Sequence, residues 1–318
     1  MALRAPLRCL RHTPYLARPL STAGTSHTAD LHAQAQARST INDSEIAHFS
    51  RLSALWWDEQ GEFQMLHRMN PVRMRFVREK LAEMALEDDG DADVTPADVL
   101  RGKDVLDVGC GGGLLSESLA RMGANTLGID ASPSNVSIAS LHASADPALA
   151  ASTQGRRRGA LAYQHTSVED LLAARGPASF DAVCSMEVLE HVDNPRAFLD
   201  SCAQLVKPGG HLFLSTIART PLAYLVTIAA AEHVLRRVSR GTHTYAKFVD
   251  PAELVDFFRA YRPHGRPWIA SAGAPARTEA ETRGMVYVPW DGEWVLAPRG
   301  AAWAEGCNYL FWVRRPRE

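Results

Sequence analysis

Glu187, Glu190 and His191 fall within Ser185-Met186-Glu187-Val188-Leu189-Glu190-His191-Val192. If a helical turn follows Met186, the three side chains stand at i, i+3 and i+4 and share one face. Two carboxylates and one imidazole can hold a divalent cation and leave positions open for substrate oxygens. A cation there would draw a phenol, with a free pKa of about 10, toward phenolate near neutral pH. His191 alone could instead act as a general base. Glu190 and His191 could also bond neighbouring backbone as a structural turn, and residue type leaves all three readings open.

Upstream, the aliphatic run Val105-Leu106-Asp107-Val108 breaks into Gly109-Cys110-Gly111-Gly112-Gly113. A buried parallel strand reads as such a run. Glycines at its end let backbone N–H groups and the N-terminus of the next helix approach a nucleotide-like ligand. The dinucleotide pattern G-x-G-x-x-G fails, because its third glycine would fall on Leu114. What stands instead, Asp107-x-Gly109-x-Gly111-x-Gly113, resembles the first motif of class I S-adenosylmethionine-dependent methyltransferases. In that resemblance Asp107 supports the methionine end, and the glycines pass under the sulfonium and ribose. A second strand, Thr126 to Ile129, ends on Asp130, roughly 20 residues beyond the glycines, where a carboxylate accepting two ribose hydroxyls is expected.

The elements that must position these groups alternate along the chain. Strand patterns lie at 104–108, 125–130, 160–165, 180–185 and 210–216, and helix patterns at 114–122, 133–144, 168–174 and 195–205. This predicts an α/β, doubly wound, Rossmann-like sheet of seven mostly parallel strands, with its crevice at the strands' carboxyl ends. Trp268–Ala270 is the candidate sixth strand, and 284–288 and 308–313 are the closing strands, one of them antiparallel. Between those two, Trp290, Trp294 and Trp303 fall in a loop-rich segment, where they would line a substrate mouth or, the preferred reading, pack the edge.

Ahead of the first strand, Ile46, Phe49, Leu52, Leu55 and Trp56 recur at helical spacing behind the cap residues Asn42, Asp43 and Ser44. A second helix carries Val72, Phe76, Val77 and Leu81, with Pro71 expected in its first turn. Together the two helices predict a cap over the cofactor cleft. Arg73 could meet a carboxylate through a bidentate pair, or be a solvated helix arginine. The acidic stretch that follows, 86–98, reads as a surface loop before the sheet.

Taken together, Arg51 to Trp57, Gly61-Glu62-Phe63, Leu66-His67-Arg68-Met69-Asn70-Pro71, Val105 to Gly113, Met186 to Val192, Lys207-Pro208-Gly209-Gly210, Gly241-Thr242-His243 and Lys247-Phe248 resemble the ubiquinone biosynthesis O-methyltransferase family. The similarity runs from about Ile41 to the C-terminus; the glycine loop and the Lys-Pro-Gly-Gly turn are common to many methyltransferases, whereas the tryptophan pair and the Leu-His-Arg and Gly-Thr-His elements discriminate. The resemblance implies cofactor contacts at Arg73, Gly109, Asp130 and Met186, beside Asp107, Gly111 and Val168. It implies magnesium or a similar cation on Glu187, Glu190 and His191, with Glu187 and His191 taking part in catalysis. It also implies acceptors that are catechol-type hydroxyls of polyprenylated rings, a mitochondrial setting in eukaryotes, and association with other ubiquinone biosynthesis proteins. Ring C-methylation in the same pathway, and a non-catalytic cofactor-binding scaffold, stand as alternatives.

Composition bounds the partners. With 34 basic and 36 acidic side chains and a net charge of −2, nothing argues for nucleic acid. The five cysteines include no C-x-x-C, so reduced thiols are expected rather than a disulfide frame or zinc ribbon, and the short run Arg156–Arg158 reads as solvated. Met1–Ala29 carries Arg4, Arg8, Arg11 and Arg18, several hydroxyl residues and no acid, the composition of a mitochondrial transit segment. Residues 1–40 are accordingly set apart as leader, 41–100 as cap and acidic loop, and 101–318 as the methyltransferase domain. Within the last, 217–249 is an insert. Its apolar stretch Pro221–Leu235 includes Glu232 and His233 and is shorter than the roughly 20 residues that span a bilayer. With Arg236, Arg237 and Arg240 behind it, it is expected to lie on a membrane surface or a partner protein.

Overall fold

The aliphatic run at Val105 becomes β1 (Asp104–Val108), at the switch point of the sheet. The structure, a computed structural model, describes residues 39–90, 95–150, 159–235, 238–239, 241–263 and 265–317. The transit-like segment, Asp91 and Asp93 of the acidic loop, the arginine run 156–158, and Arg236, Arg237 and Arg240 lie outside the described residues.

The remaining strands are β2 (Asn125–Asp130), β3 (Leu161–His165), β4 (Phe180–Met186), β5 (Val206–Ile217), β6 (Ala280–Val288), β7 (Glu293–Leu296) and β8 (Asn308–Arg314). They form one sheet in the order β3-β2-β1-β4-β5-β8-β6-β7. The first five pair parallel, and β8, β6 and β7 add antiparallel. Sequence order reverses between β1 and β4, so a crevice opens at their carboxyl ends.

Alternation along the strands sorts the core into two layers. Leu106 and Val108 pack on one face with Phe198 and Cys202 of α6 (Pro195–Leu205) and Phe258 of α7 (Pro251–Ala260). Val105, Ala182 and Trp312 pack on the other, against Phe76, Val77 and Leu81 of α2 (Gln64–Asp88) and Leu115 and Leu119 of α3 (Leu114–Arg121). Ahead of them lies α1 (Asp43–Leu52), capped by the Asn42 side chain on the Glu45 N–H. Two more helices flank the sheet, α4 (Pro133–Ala145) and α5 (Val168–Arg175).

Three expectations change. The sheet has eight strands rather than seven, and one of them, Glu293–Leu296, pairs with β6 inside the stretch read as loop. Trp268–Ala270 is not a strand: the N–H groups of Trp268 and Ile269 both go to the Phe258 carbonyl, and Trp268 stacks on the Phe258 ring. Burial there comes from plugging the end of α7, which a hydrophobicity pattern cannot tell from a ladder. Pro71 lies inside α2 rather than in its first turn, because the helix already begins at Gln64. The ring removes the one N–H that would have reached the carbonyl four residues back.

Candidate active site

Beyond β1 the chain turns through Gly109, Gly111 and Gly113 at φ of 73°, 53° and 91°, a region that side chains rarely tolerate. Close approach adds a second demand: a Cβ on Gly109 would stand 2.5 Å from Cγ2 of Val188, and one on Gly111 would run into the Trp56 ring. The N–H groups of Gly109 and Cys110 pin the loop to the Ile129 carbonyl at 2.8 and 2.9 Å. Asp130 then accepts the Gly111 N–H at 2.9 Å, the Ser132 N–H at 2.8 Å and Nδ2 of Asn135 at 3.2 Å. Beneath the loop, Asp107 accepts Oγ of Ser116 at 2.5 Å. Burial pushes its pKa up to about 6, against the Ser116 bond and the charge of Arg73.

Glu187 follows β4 with a φ of 55°, rare for any residue but glycine and kept only where the surroundings over-determine it. Ser215, opposite on β5, does so. The Glu187 N–H donates to the Ser215 carbonyl at 3.0 Å and to its Oγ at 3.1 Å, and that hydroxyl donates back to Oε1 of Glu187 at 2.6 Å. Nη2 of Arg73 lies 3.3 Å from the same Oε1. A 3₁₀ turn, Leu189–His191, then places the other two groups. Thr216 Oγ1 donates to Oε2 of Glu190 at 2.8 Å, and Oε1 of Glu190 is buried with no hydrogen-bond partner. Burial, and then the charge of Glu187, raise the Glu190 pKa. Nδ1 of His191 meets Oε2 of Glu45 at 3.1 Å. Burial disfavours the imidazolium, but the Glu45 bond and the charges of Glu190, Glu45 and Glu187 outweigh it, so the His191 pKa is raised.

Among the described residues no group of three or more His, Cys, Asp or Glu is gathered so as to hold a metal. The expected Glu187, Glu190, His191 cage is therefore not preformed: Arg73 and Ser215 hold Glu187, Thr216 holds one Glu190 oxygen, and Glu45 holds His191 Nδ1. The donor chemistry still suits a hard cation. Oε1 of Glu190 is an unmatched buried acceptor, and Nε2 is the His191 nitrogen that Glu45 does not engage.

These groups share one cavity of about 580 Å³. Gly109, Gly111, Asp130, Asn135 and Val168 line one end, and Glu187, Glu190 and His191 the middle. Val226, Ala230 and Leu235 of the insert line the far end. The roof is α1 and the residues after it. Ile46, Phe49, Leu52 and Trp56 face the cavity, which is where the predicted apolar stripe goes, since α1 has no fully buried residue. Trp56 Nε1 donates to Oδ1 of Asn135 and Trp57 Nε1 to the Gly112 carbonyl, both at 3.1 Å.

Seven of the residues singled out from the sequence thus line one space: Gly109, Gly111, Asp130, Val168, Glu187, Glu190 and His191. Three stand behind it. Asp107 is buried under the loop, Met186 is buried at the end of β4, and Arg73 is buried against Glu187 rather than solvated. Nε of Arg73 is itself buried without a partner, an N–H suited to an anion. Sequence reasoning missed Glu45, Ser215 and Thr216. The adjacent hydroxyls Ser215 and Thr216 in an otherwise aliphatic strand were the available signal; an acid on the polar face of a helix, such as Glu45, carries none.

A family profile described as a methyltransferase domain matches residues 65–261. The mitochondrial ubiquinone biosynthesis O-methyltransferase of Schizosaccharomyces pombe is 40% identical over 88% of this chain and 89% of that protein. The ubiquinone biosynthesis O-methyltransferase of Psychrobacter cryohalolentis is 46% identical over 67% of this chain and 79% of that one. Among solved structures, a magnesium protoporphyrin IX methyltransferase from Synechocystis PCC 6803 with bound SAH is 19% identical, with a TM-score of 0.42 over 76% of this chain and 82% of that chain. That looser likeness adds nothing to what the two relatives establish: the chain belongs to the ubiquinone biosynthesis O-methyltransferase family and is an S-adenosylmethionine-dependent O-methyltransferase.

Proposed function

We propose that the protein methylates a catechol-type hydroxyl on polyprenylated rings, both a dihydroxybenzoate and a demethylated ubiquinol, in the mitochondrion and beside other proteins of ubiquinone biosynthesis. The observation that carries this is the single cavity, which joins the glycine loop, a wall of carboxylates and imidazole, and an apolar end. Bound S-adenosylmethionine supplies an electrophilic methyl group. Asp130 is the acceptor for its ribose hydroxyls, Gly109 and Gly111 let the backbone approach, and Arg73 and Asp107 take the carboxylate and ammonium of its methionine end. Val168 and Met186 close the sides. Glu187, Glu190 and His191 would hold a divalent cation once some of their present partners are released, and magnesium fits the oxygen-rich donor set. Such an ion would lower the pKa of a phenol bound beside it. Much of the acceleration then comes from holding two reactants in line.

The test is methyl transfer by the full chain from labelled S-adenosylmethionine to a short-tailed catechol, with and without chelator. O-Methyl product that disappears with chelator is expected. Product indifferent to chelator would remove the cation, and a C-methylated ring would replace the reading altogether.

The insert carries the membrane part of the proposal. Thr227, Ile228 and Glu232 are buried, whereas Leu222, Leu225, Val234 and Leu235 are between 51% and 76% exposed. Among the described residues no helix is long and apolar enough to cross a membrane, so the segment would lie in the interface. Leu225→Glu with Val234→Glu is expected to abolish co-sedimentation with anionic vesicles while sparing turnover of a soluble catechol. Unchanged sedimentation would assign the face to a protein partner.

A further inference from the structure

Of the three imidazoles that line the cavity, those of His48, His191 and His243, the last two are each held by a carboxylate at Nδ1. His191 meets Glu45 at 3.1 Å, and His243 meets Oε1 of Glu232 at 2.8 Å. A carboxylate at Nδ1 keeps the proton on that nitrogen and leaves Nε2 as an acceptor. The ring centroids are 6.1 Å apart, so one small acceptor molecule can reach both.

Their surroundings divide the labour. His191 shares its part of the cavity with Glu45, Glu187 and Glu190, and Glu45 holds its Nδ1. His243 has the single carboxylate of Glu232, and its remaining ring neighbour besides His191 is Phe248. Glu232 is 1% exposed within an apolar helix, a costly position for a charge unless it is bonded. Its bonds all converge on the loop that bears His243: Oε2 accepts the Gly241 N–H at 2.8 Å, and Oε1 accepts the His243 N–H at 2.9 Å as well as the ring. Backbone and imidazole are thereby fixed together.

We infer that His243 is the general base of the transfer and that Glu232 is its positioning residue, an inference that rests on the catechol reading above. As the acceptor oxygen bonds to the methyl carbon, the carbon–sulfur bond breaks, its electron pair stays on sulfur, and S-adenosylhomocysteine is released. The hydroxyl proton passes to Nε2 of His243 and from there to solvent. His191 is then free to stay with Glu187 and Glu190, and the insert that faces outward also sets the base that faces inward.

The full chain tests this through His243→Gln, His243→Ala and Glu232→Gln, with S-adenosylhomocysteine affinity measured alongside catechol kinetics. His243→Gln is expected to lower kcat by about 10²-fold or more, with KM and cofactor affinity held. His243→Ala should regain part of its kcat on addition of imidazole, which a merely structural ring would not allow. Glu232→Gln should lower kcat with KM held, and Glu232→Asp should restore part of it. Wild-type kcat in His243→Gln, or parallel loss of kcat and cofactor affinity in His243→Ala without rescue, overturns the assignment and leaves the catechol reading standing. A wild-type chain that methylates no catechol overturns both.

Discussion

Glu187→Ala is expected to lower kcat for a catechol acceptor by about 10²-fold or more, the scale of losing a preorganised charged group at a reacting centre, while S-adenosylhomocysteine affinity stays within a few-fold of wild type. Glu187 faces the cavity, but its Oε1 is tied to Ser215 and Arg73. Removing the carboxylate takes away a charge beside the acceptor and also frees Arg73. A buried arginine left unpaired destabilises the free protein by several kcal/mol, about 3–5 when a buried pair is broken. A cofactor carboxylate would offset that cost on binding, so affinity should hold or improve as the melting temperature falls. Calorimetry with S-adenosylhomocysteine and turnover on the same preparation separate the two effects. Parallel loss of turnover and affinity would return Glu187 to a structural part.

Asp130→Ala should have the opposite signature. Its carboxylate closes three bonds, to the N–H groups of Gly111 and Ser132 and to the Asn135 side chain, and it lines the cavity beside the glycine loop. Hydrogen bonds to a charged group contribute about 1.5–3 kcal/mol each. Losing those to a ribose is therefore expected to weaken S-adenosylmethionine binding by about 10²-fold, since about 1.4 kcal/mol is a factor of ten. At saturating cofactor, kcat should fall far less. A variant that binds normally and turns over slowly would exchange the roles given to Asp130 and Glu187.

The parts of the fold that were legible are those where burial and period agree. β1, β2 and β4 are buried along most of their length between turns, and α6 matches its predicted span of 195–205. The antiparallel end was less legible because its strands are mixed in character. Glu293–Leu296 has one buried residue of four, and its pairing with β6 is visible only in three dimensions. The site divides in the same way. Gly109, Gly111 and Asp130 follow from backbone demands that any such turn imposes, so spacing reveals them. Glu45 is 146 positions from His191, and no local pattern joins the two. The cation site was read from side-chain spacing and the family resemblance, and neither registers Arg73, Ser215 and Thr216 arriving from other elements to hold the same atoms.

The roof over the cavity has a thermodynamic consequence. Because α1 has no fully buried residue and turns Ile46, Phe49 and Leu52 toward the cavity, its attachment rests on polar ties: Asn42 to Asp193, Glu45 to His191 and Lys247, and Ser50 to Ser132. An element held in this way opens at lower free energy than the sheet beneath it. Whatever fills the cavity adds contacts to α1 and so stabilises it by mass action. The gate and the occupant are therefore linked. Contacts that order the roof must be broken again before product leaves, so an occupant that α1 holds more firmly is expected to depart more slowly.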